Sequence, residues 1–257
     1  MKKLKQKCKF TSENLSSGEY GLFETVKILN GKTIFLKEHY KRIKNSSTLF
    51  SVNMNIGFRK LINMANHIIE INKIKEGALK IVIEKDKVLI SVNTRKYEAE
   101  KYKQGISLKI SKLKKNEASL LLRHKTTKRL ENILEMEKAS KEGYDDSIFL
   151  NTSGYITETC IANIFFIKKD VIYTPSLYAG LLPGIIRDKV LYIAKQKNIK
   201  LEEGFFKKEE LVNSESVFVT NSLMGIMPVS SVNGKNFCIN HPILKDIFKI
   251  YNKITKL

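Results

Sequence analysis

The chain contains no apolar run of the roughly 18–20 residues that a membrane-spanning helix requires. The basic start MKKLKQKCKF is followed by no apolar stretch of the signal-peptide kind, so a cytoplasmic location is expected. Cysteine is scarce. Cys8, Cys160 and Cys238 are odd in number and lack metal-ligand spacing, which fits reduced thiols better than a disulfide framework or a metal centre. There is no internal repeat and no low-complexity tract. Acidic residues are few beside basic ones, 26 against 46, giving a formal charge of +20. Zinc-finger spacing, an RNP-type aromatic signature and basic-zipper heptads are all missing. The lysines occur nearly everywhere instead of along one face, so they read as surface solvation. No nucleic-acid partner and no membrane partner is expected, and a basic nucleic-acid-binding protein stays only a remote alternative. The positive field favours an anionic small-molecule substrate.

What is present is an ordinary globular composition, 42% hydrophobic and 28% charged, in 257 residues. That length supports one large core or two modest ones. The first half reads as α+β. Residues 20–29 alternate, Asn30-Gly31 is a hairpin dipeptide, and 32–36 is the partner strand. Helices follow at 38–50 and 56–74. Strands are predicted at 78–85 and 87–93, joined at Asp86-Lys87, and again at 106–111. Residues 112–128 are basic and weakly patterned, a plausible connection. A helix at 129–142 ends at Gly143. Strands follow at 146–151, 155–160, 162–168 and 171–174. A long helix follows Gly184, then strands near 198–205, 215–220 and 226–232, and a last helix at 242–254. The expected division is 1–114 as an N-terminal α+β domain, 115–128 as a connection and 129–257 as a C-terminal α+β domain. The active site would lie between the halves, with Lys125 at the boundary.

The most informative stretch is GYITETCIANIFFIKKDVIYTPSLYAGLLPGIIR, residues 154–187. A lone carboxylate, Glu158, sits in a run of β-branched and aromatic residues. Taken alone, it reads about equally well as a solvent-facing strand residue. Pro183-Gly184 opens a helix, and a helix N-terminus can hold a phosphate. Together they suit an anionic heteroaromatic group: the acid keeps a ring nitrogen protonated while the helix start takes the phosphate.

The ordered set of motifs carries more than any one of them. It comprises FLKEHYKRIKNS with His39 and Arg42, RHKTTKRLENILEMEKA with Lys125, and GYITE…NIF with Glu158 and Asn163. It continues with Thr174-Pro175, LPGIIR at 182–187, and TNSLMGIMPV at 220–229. This order resembles the class IV aminotransferases, the fold-type IV enzymes that use pyridoxal 5'-phosphate, from about residue 20 to about 235. The resemblance implies an α+β, two-lobed fold. A smaller N-terminal α/β lobe would face a larger C-terminal lobe with a mixed, barrel-like sheet. It also implies a homodimer.

The resemblance implies roles residue by residue. Lys125 falls at the Schiff-base lysine, with Lys128 as the nearby competitor. Glu158 falls at the partner of the ring nitrogen. Arg42 falls at the phosphate arginine, where a guanidinium can grip oxygens bidentately. Gly184, Ile185 and Ile186 fall at the phosphate cup. Ile186 replaces a threonine common in the family, removing a hydroxyl but leaving the amides. Ser222 stands where a phosphate-binding threonine is frequent. Asn163 and His39 read as supporting residues.

The family includes 4-amino-4-deoxychorismate lyases, branched-chain aminotransferases and D-amino acid aminotransferases. The N-S-L-M-G-I-x-P-V form at 221–229 resembles the lyases, and so does Arg129, four residues after Lys125. Lys27, Lys128 and the altered stretch Gly18–Glu24 depart from common family patterns. The resemblance therefore implies 4-amino-4-deoxychorismate lyase activity, giving 4-aminobenzoate and pyruvate for folate synthesis. A transaminase acting on branched-chain or D-amino acids is the alternative.

Overall fold

The computed structural model describes residues 21–84 and 87–255. Two β-sheets and their helices build it. The first sheet holds β1 (Leu22–Leu29), β2 (Lys32–Thr33), β3 (Gly77–Glu84) and β4 (Lys87–Asn93), in the antiparallel order β2-β1-β3-β4. Asn30 and Gly31 have φ of 52° and 75°, the left-handed pair that a two-residue hairpin requires. On β1, alternate residues Leu22, Val26 and Ile28 join Leu79, Ile81 and Ile83 in one apolar face. Helices α1 (Leu36–Leu49) and α2 (Phe58–Ile71) cover that face, α2 through Leu61, Ala65 and Ile69 at helical spacing.

The second sheet is larger and closes on itself. Its strands are β5 (Ile106–Lys115), β6 (Asp146–Asn151), β7 (Ile156–Thr159), β8 (Asn163–Lys168), β9 (Val171–Pro175), β10 (Leu201–Gly204), β11 (Ser216–Asn221), β12 (Gly225–Val232) and β13 (Lys235–Asn236). The path β8-β11-β12-β5-β6-β7 returns to β8 through the Glu158–Asn163 pairing, making a six-stranded barrel. The barrel is mixed: β5 runs parallel to both β12 and β6. Side chains alternate between two cores. Ile164, Phe166, Val217 and Val219 pack together with Ile106, Leu108 and Ile148. Phe165, Ile167 and Phe218 face the other way, against α5 (Ile185–Gln196) and α7 (Pro242–Thr255).

Several sequence expectations change. The partner strand expected at 32–36 pairs only at Lys32 and Thr33, because Phe35 is left-handed (φ 58°) and α1 begins at Leu36. The strand expected at 106–111 runs to Lys115 and is central to the barrel. A boundary at residue 114 therefore cuts it away from the sheet it belongs to. Two short helices, α3 (Ala99–Gln104) and α6 (Lys208–Val212), have no counterpart in the sequence reading, and α4 (Leu130–Lys141) matches the one expected at 129–142. The Asp86-Lys87 junction and the residues before Gly21, with Gly18–Tyr20 among them, fall wholly or partly outside the described residues. Among the described residues no helix is long and apolar enough to cross a membrane.

Candidate active site

Lys125 is placed by backbone pairing. Leu22 forms a bridge with Thr126, Phe23 N–H donates to Lys125 O at 2.9 Å, and Thr127 N–H donates to Gly21 O at 2.9 Å. Residues 125–127 thus lie along the stretch of β1 edge that the short β2 leaves unpaired. The preceding residue is fixed as well: His124 Nδ1 lies 2.8 Å from Ser46 Oγ on α1, and its ring meets Phe50 edge-on. The Lys125 ammonium group rests 4.6 Å from the Phe23 ring centroid. Burial and the charges of Arg42 and Arg129 push its pKa down to about 7, against the pull of Glu24 and Glu158. An amine of that pKa is a competent nucleophile and base near neutrality. Lys128, the competing lysine, is exposed.

Glu158 lies on β7, paired in register with Asn163 of β8. Its Oε2 accepts from Leu182 N–H at 3.1 Å and from Asn163 Nδ2 at 3.3 Å. Burial raises its pKa to about 7, even though these donors and Lys125 favour the anion. It is a cavity-wall residue, not a solvent-facing strand residue. Asn163 also donates to Leu182 O at 2.9 Å, so it buttresses both the carboxylate and the approach to α5.

Arg42 is locked by a partner that the sequence reading passed over. Its Nε and Nη2 donate to Glu24 Oε1 and Oε2, each at 2.7 Å, and Nη1 donates to Pro183 O at 2.9 Å. Three of the five guanidinium N–H groups are committed, including the bidentate edge. A phosphate can reach only the remaining donors, so the bidentate grip expected of Arg42 is made on Glu24 instead. Glu24 is fully buried and also bonded to His39 Nδ1 at 2.7 Å. These two partners hold its carboxyl far below the usual range, despite burial. Burial lowers the pKa of His39, so the neutral ring donates from Nδ1 and supports Glu24. One sequence signal could have found Glu24: it is an acid on the same strand face as Leu22 and Val26.

Gly184 is the N-cap of α5. A Cβ there would collide with Asn163 Oδ1, so glycine lets the helix start sit against β8 with Asn163 in place. The first intrahelical bond is Asp188 N–H to Gly184 O, leaving the amides of Ile185 and Ile186 without a helical acceptor. Thr220, given no role of its own at the head of the TNSLMGIMPV motif, has a buried hydroxyl with no partner among the described residues. One cavity of about 920 Å³ brings Arg42, Lys125, Glu158, Ile185, Ile186 and Ser222 together, along with Arg129, Gly184 and Thr220. Every site residue expected from the sequence lines this one space.

Residues 21–232 match the Amino-transferase class IV family, and the chain belongs to it. It is 25% identical to the aminodeoxychorismate lyase of Bacillus subtilis, over 84% of this chain and 79% of that protein. It is also 25% identical to the D-alanine aminotransferase of Bacillus licheniformis, over 84% and 80%. The Escherichia coli branched-chain amino acid aminotransferase structure superposes with a TM-score of 0.87 at 23% identity, covering 94% of this chain and 87% of that one. The fold is therefore fold type IV, and the family's cofactor is pyridoxal 5'-phosphate. The residues present fit that group. The unpartnered Thr220 hydroxyl, the free amides at the start of α5 and the remaining Arg42 donors suit a phosphate, and the low-pKa amine of Lys125 suits an aldehyde. The chain is a pyridoxal-phosphate-dependent enzyme of this family.

Proposed function

We propose that the chain is a 4-amino-4-deoxychorismate lyase. The observation that carries this choice is the β11–β12 turn at the cavity, Asn221-Ser222-Leu223-Met224-Gly225. Asn221 Oδ1 accepts from Leu223 N–H at 3.0 Å and Met224 N–H at 2.8 Å, so a side chain shapes this lyase-like turn. The similarity to the Bacillus subtilis lyase supports it.

In this reading Lys125 holds the cofactor, Glu158 faces the ring nitrogen, and Arg42, the Ile185 and Ile186 amides and Ser222 hold the phosphate. When bound, pyridoxal phosphate supplies a ring that withdraws electrons from the substrate carbon bearing the amine. Lys125 Nζ removes the proton from that carbon. The bond from the neighbouring ring carbon to the enolpyruvyl oxygen breaks, and the ring becomes aromatic. Lys125 then returns a proton to the methylene carbon of the departing fragment, giving 4-aminobenzoate and pyruvate. A pKa near 7 lets one amine serve as base and then as acid. The cationic lining suits a dianionic substrate.

Purified protein given aminodeoxychorismate is expected to release pyruvate. Amino transfer between branched-chain amino acids and 2-oxoglutarate without pyruvate release sinks the lyase reading. Such transfer is the second reading, favoured by the equal similarity to a D-alanine aminotransferase. We further propose a homodimer. Leu120, Leu121, Leu130, Ile133 and Leu134 are exposed apolar residues, and three of them line the cavity. Light scattering at twice the chain mass is the expected result.

A further inference from the structure

Two arginines line the cavity, and they differ in how far their donors are used. Arg42 is committed to Glu24 and Pro183. Among the described residues Arg129 makes a single hydrogen bond, Nη2 to Cys160 O, and at 3.3 Å it is a long one. Arg129 precedes α4 and is half-buried. Its guanidinium carbon lies 5.3 Å from the centroid of the Phe23 ring, the same ring that carries the Lys125 amine. One aromatic side chain therefore lies beside both cations. Burial lowers the Arg129 pKa, and the Glu158 carboxylate offsets this only in part. A half-buried guanidinium with most of its fork unused is poised for an anion.

We propose that Arg129 is a specificity-determining residue: its guanidinium seats a carboxylate of the substrate beside the Lys125 amine. The planar fork fixes the direction of that carboxylate, and with it the substrate carbon presented to Lys125. The inference rests on Lys125 as the lysine that holds the cofactor. It holds for either the lyase or the transaminase reading, since both take carboxylate substrates.

The test uses the full chain loaded with pyridoxal phosphate. Benzoate is titrated as an inert carboxylate and benzamide as its neutral counterpart, following the visible absorption of the bound cofactor. Wild type is expected to show a saturable benzoate response. Arg129→Met is expected to weaken benzoate binding about 10- to 100-fold, the scale of losing a charge-assisted contact, without changing the benzamide response. Arg129→Lys, which keeps the charge and loses the fork, should fall between. In turnover, Arg129→Met should raise KM more than it lowers kcat. If Arg129→Met fails to load cofactor, Arg129→Lys decides alone. An intact visible band with benzoate affinity equal in wild type and variant overturns this proposal only. Absence of a visible band in wild type overturns the cofactor reading as well.

Discussion

Two charge clusters at the active site use the same residue types in opposite ways. In one, the Glu24 carboxylate is bonded to both His39 and Arg42 at 2.7 Å and is held far below its ordinary pKa. In the other, Glu158, Lys125 and Arg129 line the cavity without a close ion pair, and Glu158 and Lys125 both move to about 7. Burial acts on both clusters. The difference is whether an opposite charge is bonded at close range. A carboxylate bonded on both oxygens stays a fixed anion, whereas groups without a close partner can exchange protons and contacts with a reactant.

The sharpest way to break this contrast is Lys125→Ala. Activity is expected to fall at least about 10³-fold, with the visible cofactor band lost and the circular dichroism unchanged. Retained activity and an intact band would mean that the wrong lysine has been assigned. Next comes the exchange of carboxylates. Glu24→Ala leaves Arg42 and His39 buried without their partner and should cost about 3–5 kcal/mol, read as a lower Tm. Glu158→Gln should not lower the stability of the cofactor-free protein at pH 7, because it removes a buried carboxylate whose folded pKa is raised to about 7. It should still lower turnover about 10²-fold, the size of losing one preorganised electrostatic partner. Equal stability losses in the two variants would erase the distinction between the clusters.

Gly184→Ala tests the close packing of the start of α5 against β8. The added Cβ displaces Asn163, so it should cost about 1–3 kcal/mol and weaken cofactor binding, measured by fluorescence titration. A further test is a slope against pH in the cofactor-free protein. Because its folded pKa is raised to about 7, Glu158 makes stability fall as pH rises from about 4.5 to 7. The depressed Glu24 is ionised in both folded and unfolded chains toward the top of that window and adds little slope there. Thermal melts from pH 5 to 7 should show a shallower fall in Glu158→Gln than in wild type. Over the same range cofactor uptake should speed up as pH passes about 7, when the Lys125 amine loses its proton.

Much of the barrel was legible because each strand carries a local signal. The β-branched and aromatic runs in 162–168 and 215–220 and the break at Gly184 needed no knowledge of partners. β5 shows the limit. Its alternating pattern identifies a strand, but nothing in that pattern tells it to pair with β12 and β6, more than 30 residues away in sequence. Glu24 meets the same limit in part. Its place on an apolar strand face is a local signal, but its bonds to His39 and Arg42 exist only once α1 is packed against β1. Thr220 looked like any strand threonine, and its unpartnered hydroxyl is visible only once its neighbours are known.

Residue order alone was enough for the family, the sequence of motifs and the set of residues that meet in the cavity. These rest on residue identity at short spacing, which survives without a fold. How those residues are charged and bonded came from packing in three dimensions. It laid Lys125 along the free edge of β1, turned the bidentate face of Arg42 onto Glu24, and left Arg129 with its fork nearly unused. pKa values and donor commitments depend on burial and on contacts across more than 100 residues of chain, such as Phe23 with Lys125. No local pattern encodes those.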